Sequence, residues 1–391
     1  MKARSVTLGF IPLVDAAPLI VAHEMGFAAE EGLSLTLSRA PSWSALRDML
    51  RIGHLDAAHM LSPVPVAAAL GLGGVSGGLS AVSVLSINGN VIGVSRELAA
   101  RLRDAGHDFA FDDARSAGNA LIAAADKPLR IGVPFPFSMH AELVFYWLTA
   151  LGLPAPENLT VRTVPPALMG EAIRAGEIDA FCVGEPWGSQ AVETGVGELL
   201  LPCSAIWAFA PEKVLAVRDE WADAEPALVQ SLIRAVWRAN RWLADPSSRM
   251  LAAEMLARPA WLDLPAELLD RALGGRLVIS ANGDTRNVPD LIEFHRGAAT
   301  FPWRSQAEWI ASRLARRVGL DPDRAAEQAR STFRSDIYRL AMEPTGIDLP
   351  GASAKLEGAL SADTAVASRA GRLILPRDAF FDGEIYEPLL K

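Results

Sequence analysis

Short apolar stretches alternate with segments whose apolar residues recur at helical spacing, and the two periods together predict a succession of βα units. Val6 to Ile11 reads as a strand. Pro18 suits the first turn of a following helix, because its fixed φ fits there and its missing N–H would be unpaired anyway. Leu33, Leu35 and Leu37 alternate with polar residues, as in a half-buried strand. A helix is predicted over 44–51, stopped by Gly53, and a strand over 56–60. Further along, 129–133 predicts a strand, and Leu143, Val144, Trp147, Leu148 and Leu151 share a helical face that Gly152 ends. Segments 158–164, 169–175 and 178–183 continue the alternation. From Glu220 onward the spacing predicts helices over 225–243, 247–256, 265–273, 306–318 and 322–342.

Two short segments repeat at one offset. Leu50-Arg51-Ile52-Gly53-His54-Leu55-Asp56-Ala57 is echoed by Ile173-Arg174-Ala175-Gly176-Glu177-Ile178-Asp179-Ala180, with Gly53 and Gly176 123 residues apart. Leu8-Gly9-Phe10 is echoed by Ile131-Gly132-Val133 at the same spacing. The period is too long for a solenoid and implies two similar lobes. The expected fold is α/β and two-lobed, with mostly parallel sheets and a ligand cleft at the strand ends. The expected division is 1–110 for the first part of lobe I, 128–205 for lobe II, 213–300 for the mainly helical return part of lobe I, and 301–391 for a C-terminal helical extension. Connecting segments are expected within 105–126 and 202–213.

Composition narrows the function classes. Half of the 391 residues are hydrophobic and 21% are charged, enough for a large core. The formal net charge of −9 disfavours broad phosphate-backbone binding, and no direct nucleic-acid contact is expected. Two cysteines, Cys182 and Cys203, are too few for a disulfide framework or a four-cysteine zinc site, although they are free to pair with each other. The apolar stretch 57–81 is broken by His59, Pro63, Pro65 and several glycines, so membrane insertion is not expected. After Met1-Lys2-Ala3-Arg4 the chain enters its first strand directly, which leads us to expect a cytoplasmic protein.

Enzyme signatures are weak. The six histidines form no HExxH-type metal pair, and His54 and His59, five apart, span a turn and a strand. Gly71 to Gly78 lacks the Lys-Ser/Thr ending of a phosphate loop. Cys182 sits in an apolar strand. No enzyme activity, metal or cofactor is expected. Four residues instead stand at the ends of predicted strands, where a cleft would lie. Trp43 follows the 33–37 strand, His140 opens a helix, Gly184 ends the 180–183 strand, and Lys213 precedes the apolar run 214–217. A helix start offers unpaired N–H groups and a positive dipole end, which suits an anion near His140. Gly184 permits close backbone approach.

The chain resembles the NrtA-type nitrate-binding proteins of the periplasmic binding protein superfamily. The resemblance runs over nearly the whole chain. It is carried by 8–19 (LGFIPLVDAAPL), 55–59 (LDAAH), Val164-Pro165-Pro166, 181–187 (FCVGEPW), Pro211-Glu212-Lys213 and Phe380-Phe381-Asp382-Gly383. It implies a type II binding-protein fold. It also implies an oxoanion site made of Trp43, Asn90, His140, the Gly184 backbone amide and Lys213. Asn90 stands where the family has Gln, one methylene shorter. Lys213 favours nitrate or nitrite over bicarbonate, since a related bicarbonate-binding branch differs there. Within the family the chain is most similar to NasS-type cytoplasmic nitrate/nitrite sensors. That implies control of a NasT-like ANTAR RNA-binding antiterminator and of nitrate-assimilation genes. The alternative reading is the solute-binding component of a nitrate/nitrite ABC transporter. A third, a thiamine-pyrimidine synthase of the same fold, would require a Cys-rich motif that is absent from this sequence.

Overall fold

The computed structural model describes residues 3–74, 78–125 and 127–389. Its two main sheets use ten principal strands: β1 (Arg4–Phe10), β2 (Leu33–Arg39), β3 (Ala57–Leu61), β4 (Leu79–Asn88), β5 (Asn90–Ser95), β6 (Leu129–Val133), β7 (Leu159–Thr163), β8 (Ala180–Gly184), β9 (Gly197–Pro202) and β10 (Pro211–Arg218). The first sheet has the order Ile292–Glu293, β4, β10, β3, β1, β2, and the second β7, β6, β8, β5, β9. Each is a parallel core with antiparallel strands on one side. The strands beside Gly9 and Gly132 thus lie in different sheets, as the repeat predicts.

The repeat is visible in the pairing. Leu8 faces Ala57 in the first sheet and Ile131 faces Ala180 in the second. In each lobe an aspartate that follows the glycine turn caps the first strand: Asp56 Oδ2 accepts from Thr7 N at 2.8 Å, and Asp179 Oδ2 from Arg130 N at 3.1 Å. The paired glycines have one purpose. A Cβ on Gly9 would meet Leu46 and Leu55 at 2.4 Å, and a Cβ on Gly132 would meet Ile178 and Met169 at 2.7 and 2.8 Å. Close packing of helix onto strand therefore requires glycine at both places.

The crossings differ from the sequence expectation. The chain leaves the first sheet at Gly89, between β4 and β5, so residues 90–95 belong to the second sheet and not to lobe I. Gly89 has φ +104°, a conformation open chiefly to glycine. Asn88 Nδ2 donates to Ala208 O at 2.9 Å, and Ala210 N donates to Asn88 Oδ1 at 3.2 Å. One side chain thus stitches the outward crossing to the return crossing at 203–210. The described part of the expected connecting segment, 105–125, is no crossing; it carries the helix Ala114–Ala123.

Helices Pro226–Leu243, Arg249–Leu256 and Ala266–Gly274 match the predicted spacing and cover the first sheet. The helix expected over 322–342 is broken into Pro322–Ala329 and Ser335–Met342. Buried Phe333 between them takes an extended conformation and bridges to Ala81, whose carbonyl accepts from Arg334 N at 2.9 Å. Beyond 345 the extension is not helical. Pro350, Gly351, Gly358, Gly371, Pro376 and Gly383 interrupt it, leaving one two-residue hairpin at Thr364–Ala365 and Ile374–Leu375. It packs back nonetheless: Phe380 stacks on Trp207 and Trp309, and Tyr146 Oη donates to Asp382 Oδ1 at 2.6 Å. Among the described residues no helix is long and apolar enough to cross a membrane.

Candidate functional site

The tips of β3 and β8 point toward one junction between the lobes, and the strand paired with each delivers a polar residue there. On β10, Lys213 lies opposite Leu61 of β3; on β5, Asn90 lies opposite Gly184 of β8. Helix Trp43–Arg51 begins after β2 with Ser42 as its cap, whose Oγ accepts from Ala45 N at 3.2 Å. This cap places Trp43 in the first turn. Helix Met139–Ala150 begins after β6 with Ser138 as cap, accepting from Ala141 N at 3.2 Å. His140 is its second residue.

All five sequence-derived candidates are buried. Contacts join them through shared neighbours. Lys213 Nζ lies 5.6 Å from the centroid of the Trp43 ring. A Cβ built on Gly184 would meet Asn90 Oδ1 at 3.4 Å, Asp15 Oδ2 at 3.6 Å and Leu13 at 2.9 Å, so glycine keeps this corner open. Three residues that were not assigned from sequence complete the cluster. Asp15 Oδ2 lies 2.8 Å from Lys213 Nζ, and its Oδ1 lies 2.8 Å from His59 Nε2. Lys213 Nζ also donates to Glu212 Oε1 at 2.8 Å, and His140 Nδ1 lies 3.3 Å from that same oxygen. A continuous chain His59–Asp15–Lys213–Glu212–His140 therefore runs from the first lobe into the second. The signal for Asp15 and Glu212 was present as isolated carboxylates within apolar surroundings. Both stood in motifs that carried the family resemblance but received no role.

The electrostatics follow from burial. Burial opposes ionisation of Asp15, but Lys213 and His59 outweigh it and hold the carboxyl at about 2. Burial opposes the charge on Lys213 too, and the two carboxylates overcome it, raising its pKa. Burial and then Lys213 push His140 well below the ordinary histidine range, against a weaker pull from Asp15. His59 is lowered by burial despite Asp15, so both imidazoles are neutral near pH 7. Ile11 N lies 3.5 Å from His59 Nδ1, which leaves Nε2 to face Asp15 with the proton.

Several donors have no protein acceptor. Trp43 Nε1 and His140 Nε2 are buried without a hydrogen-bond partner among the described residues. The Asn90 amide is near enough to Glu212 to favour its charged form, yet makes no well-formed hydrogen bond. Buried polar groups are normally satisfied, so Trp43 Nε1 and the Asn90 amide are left free to meet a further acceptor.

The other candidate chemistries do not assemble. His59 is buried in β3 whereas His54 is exposed in the preceding turn. Among the described residues no group of three His, Cys, Asp or Glu is placed to hold a metal. Cys182 and Cys203 are both unbonded with their sulfurs 3.5 Å apart, and burial raises the Cys182 thiol well above its usual value. Residues 75–77 of the glycine-rich run lie outside the described residues.

Residues 1–257 match the model of the NMT1-like family. The nitrate/nitrite binding protein NrtA of Synechococcus elongatus is 30% identical over 369 residues, 90% of this chain and 81% of that protein. The bicarbonate-binding protein CmpA of the same organism is 28% identical over 409 residues, 99% of this chain and 85% of that protein. The chain spans about half the length of the nitrate import ATP-binding protein NrtC that it also matches in Synechocystis, 51% of it. The crystal structure of the periplasmic nitrate-binding protein NrtA from Synechocystis superposes with a TM-score of 0.83 at 25% identity, covering 99% of this chain and 96% of that one. With the family model matching well over half the chain, and a relative of this identity covered over most of its length, the chain belongs to the NMT1-like family and, within it, to the NrtA-type binding proteins.

Proposed function

We propose that this chain is a solute-binding protein for nitrate or nitrite, serving an ABC-type importer. The observation that carries the reading is the burial of Trp43, Asn90, His140, Gly184 and Lys213 at one junction, where Trp43 Nε1 and the Asn90 amide have no hydrogen-bond partner among the described residues. A small oxoanion needs donors from several directions and one countercharge, and those residue types supply them. The names of the NrtA relatives support the anion class, and Lys213 favours nitrate or nitrite over bicarbonate. Calorimetric titration with nitrate, nitrite, bicarbonate and sulfate tests it. Saturable binding of nitrate or nitrite, with sulfate silent, is expected; a response to bicarbonate alone would transfer the site to the other anion.

The regulatory reading, in which the same anion releases a NasT-like ANTAR antiterminator in the cytoplasm, rests on the sequence resemblance. None of the relatives described above bears a sensor's name, so the importer reading is the better supported. Co-purification with an ANTAR-domain antiterminator, and its release by nitrate on size exclusion, would reverse that order.

A further inference from the structure

The residues that gather at the junction carry more negative charge than an anion site should. Lys213 stands at their centre, but Asp15 and Glu212 each place a carboxylate oxygen 2.8 Å from its Nζ. Asp15 is ionised and both imidazoles are neutral. With Glu212 ionised as well, the cluster holds one net negative charge before any ligand arrives. A monovalent anion would then face a second buried negative charge, a cost that neutral donors do not offset.

Glu212 is the group able to resolve this. Its Oε1 is engaged by Lys213 and lies against His140, whereas its Oε2 is buried with no partner. The titratable and charged groups around it come from every neighbouring element: Lys213 on its own strand, Asp15 from the segment after β1 with His59 behind it, His140 from the lobe II helix, and the Cys182 thiol of β8 beside Cys203. Asn90 of β5 adds a neutral amide. Burial already raises the Glu212 carboxyl, Lys213 opposes this, and Asp15 adds to it. A bound anion acts in the same sense as Asp15. Asp15 is a poorer proton acceptor, since Lys213 and His59 hold it ionised.

We propose that nitrate or nitrite enters this site together with one solvent proton, held on Glu212 Oε2, which then donates to the bound anion. This rests on the anion-binding reading above. The only bond formed is the O–H of the carboxyl, so the pair adds no net charge to the junction. A divalent anion would leave one charge uncompensated and is disfavoured.

Nitrate is the probe, because it stays fully ionised across the range. It is titrated calorimetrically from about pH 6 to about pH 8.5, in two buffers of different ionisation enthalpy at each pH, so that proton uptake is counted directly. Uptake approaching one proton per nitrate is expected at the alkaline end, with affinity falling up to about tenfold per pH unit there. The Glu212→Gln protein, whose amide donates from the same place, is expected to bind with no uptake and with affinity independent of pH. Flat affinity and no proton uptake in the unsubstituted protein would overturn the proposal, and that result does not depend on the variant folding. Uptake that persists in Glu212→Gln would overturn the assignment to Glu212 in favour of His140. Absence of nitrate binding at every pH would sink the anion reading itself, whereas binding without uptake sinks only the coupling.

Discussion

In the first lobe β10 brings Lys213 opposite Leu61 at the tip of β3; in the second, β5 brings Asn90 opposite Gly184 at the tip of β8. Leu61 and Gly184 stand 123 residues apart, the spacing of the sequence repeat, so Lys213 and Asn90 occupy matching places in two copies of one construction. Their chemistry differs. The first lobe contributes an ammonium, two carboxylates and the imidazole of His59, bound to one another. The second contributes an amide, a backbone amide at Gly184 and a neutral imidazole at a helix start. A repeated scaffold thus divides the chemistry: the first lobe holds the charged groups together with the Trp43 indole, and the second adds only neutral groups. Contacts across the junction, Val14 N to Glu185 O at 3.0 Å and Trp187 Nε1 to Pro12 O at 2.8 Å, hold the two tips together.

The sharpest way to break this contrast is Lys213→Met. Removing the cation leaves Asp15 and Glu212 buried without their countercharge, which costs about 3–5 kcal/mol of stability. Nitrate binding is expected to weaken by at least about 2–4 kcal/mol. Urea denaturation and calorimetry read the two effects separately. If neither moves, the charged lobe has been misidentified.

Asp15 of the first lobe and Glu185 of the second are expected to respond to pH in opposite senses. Asp15 is held at about 2, below its ordinary 3.8. Its contribution is complete above pH 3.8 and is lost as the pH falls toward about 2, a matter of about 2 kcal/mol. Glu185, in the second lobe, is pushed by burial to about 7 despite the Ser189 N–H that donates to it at 3.2 Å. The unfolded chain releases its proton first, so stability falls as pH rises from 4.5 to about 7 and stays lower above it. Glu185→Gln is therefore expected to raise stability at pH 8 by about 2–3 kcal/mol and to change little at pH 4. Urea midpoints at the two pH values check this, and an equal shift at both would refute it.

Neutral donors should matter less. Asn90→Ala is expected to cost about 0.5–1.5 kcal/mol of nitrate binding, with the pH response of Asp15 unchanged. Smallest is Gly184→Ala. Its methyl carbon would meet Leu13 at 2.9 Å, a flexible side-chain end, and calorimetry is expected to show less than about 1 kcal/mol of weakening. A loss as large as that of Lys213→Met from either change would erase the distinction between the lobes.

Much of the scaffold was legible because its signals are local. Alternation in 33–37, the proline at 18 and the glycine stops at 53 and 152 each act within a few residues, and β6 falls where the apolar run 129–133 placed it. The crossing at Gly89 was not legible. β4 and β5 are an almost continuously buried stretch whose assignment to different sheets is decided by which neighbours they meet, not by their own composition. The helix break at Phe333 has the same cause, a tertiary bridge to Ala81. At the site, Trp43, His140, Gly184 and Lys213 could be placed from strand ends and resemblance. Asp15, His59 and Glu212 could not be given roles, because what defines them is three-dimensional: Asp15 meets Lys213 across about 200 residues of chain, His59 meets Asp15, and Glu212 meets His140 of the other lobe.

One measurement tests the central claim most directly: calorimetric titration of nitrate, at about pH 6 where proton uptake is least limiting, into the unsubstituted protein and into a folded Lys213→Met protein. A junction that sets one stored cation against neutral donors predicts saturable one-site binding in the first and a loss of at least about 30-fold in the second. Equal binding by both proteins, or no binding by the unsubstituted one, would contradict it.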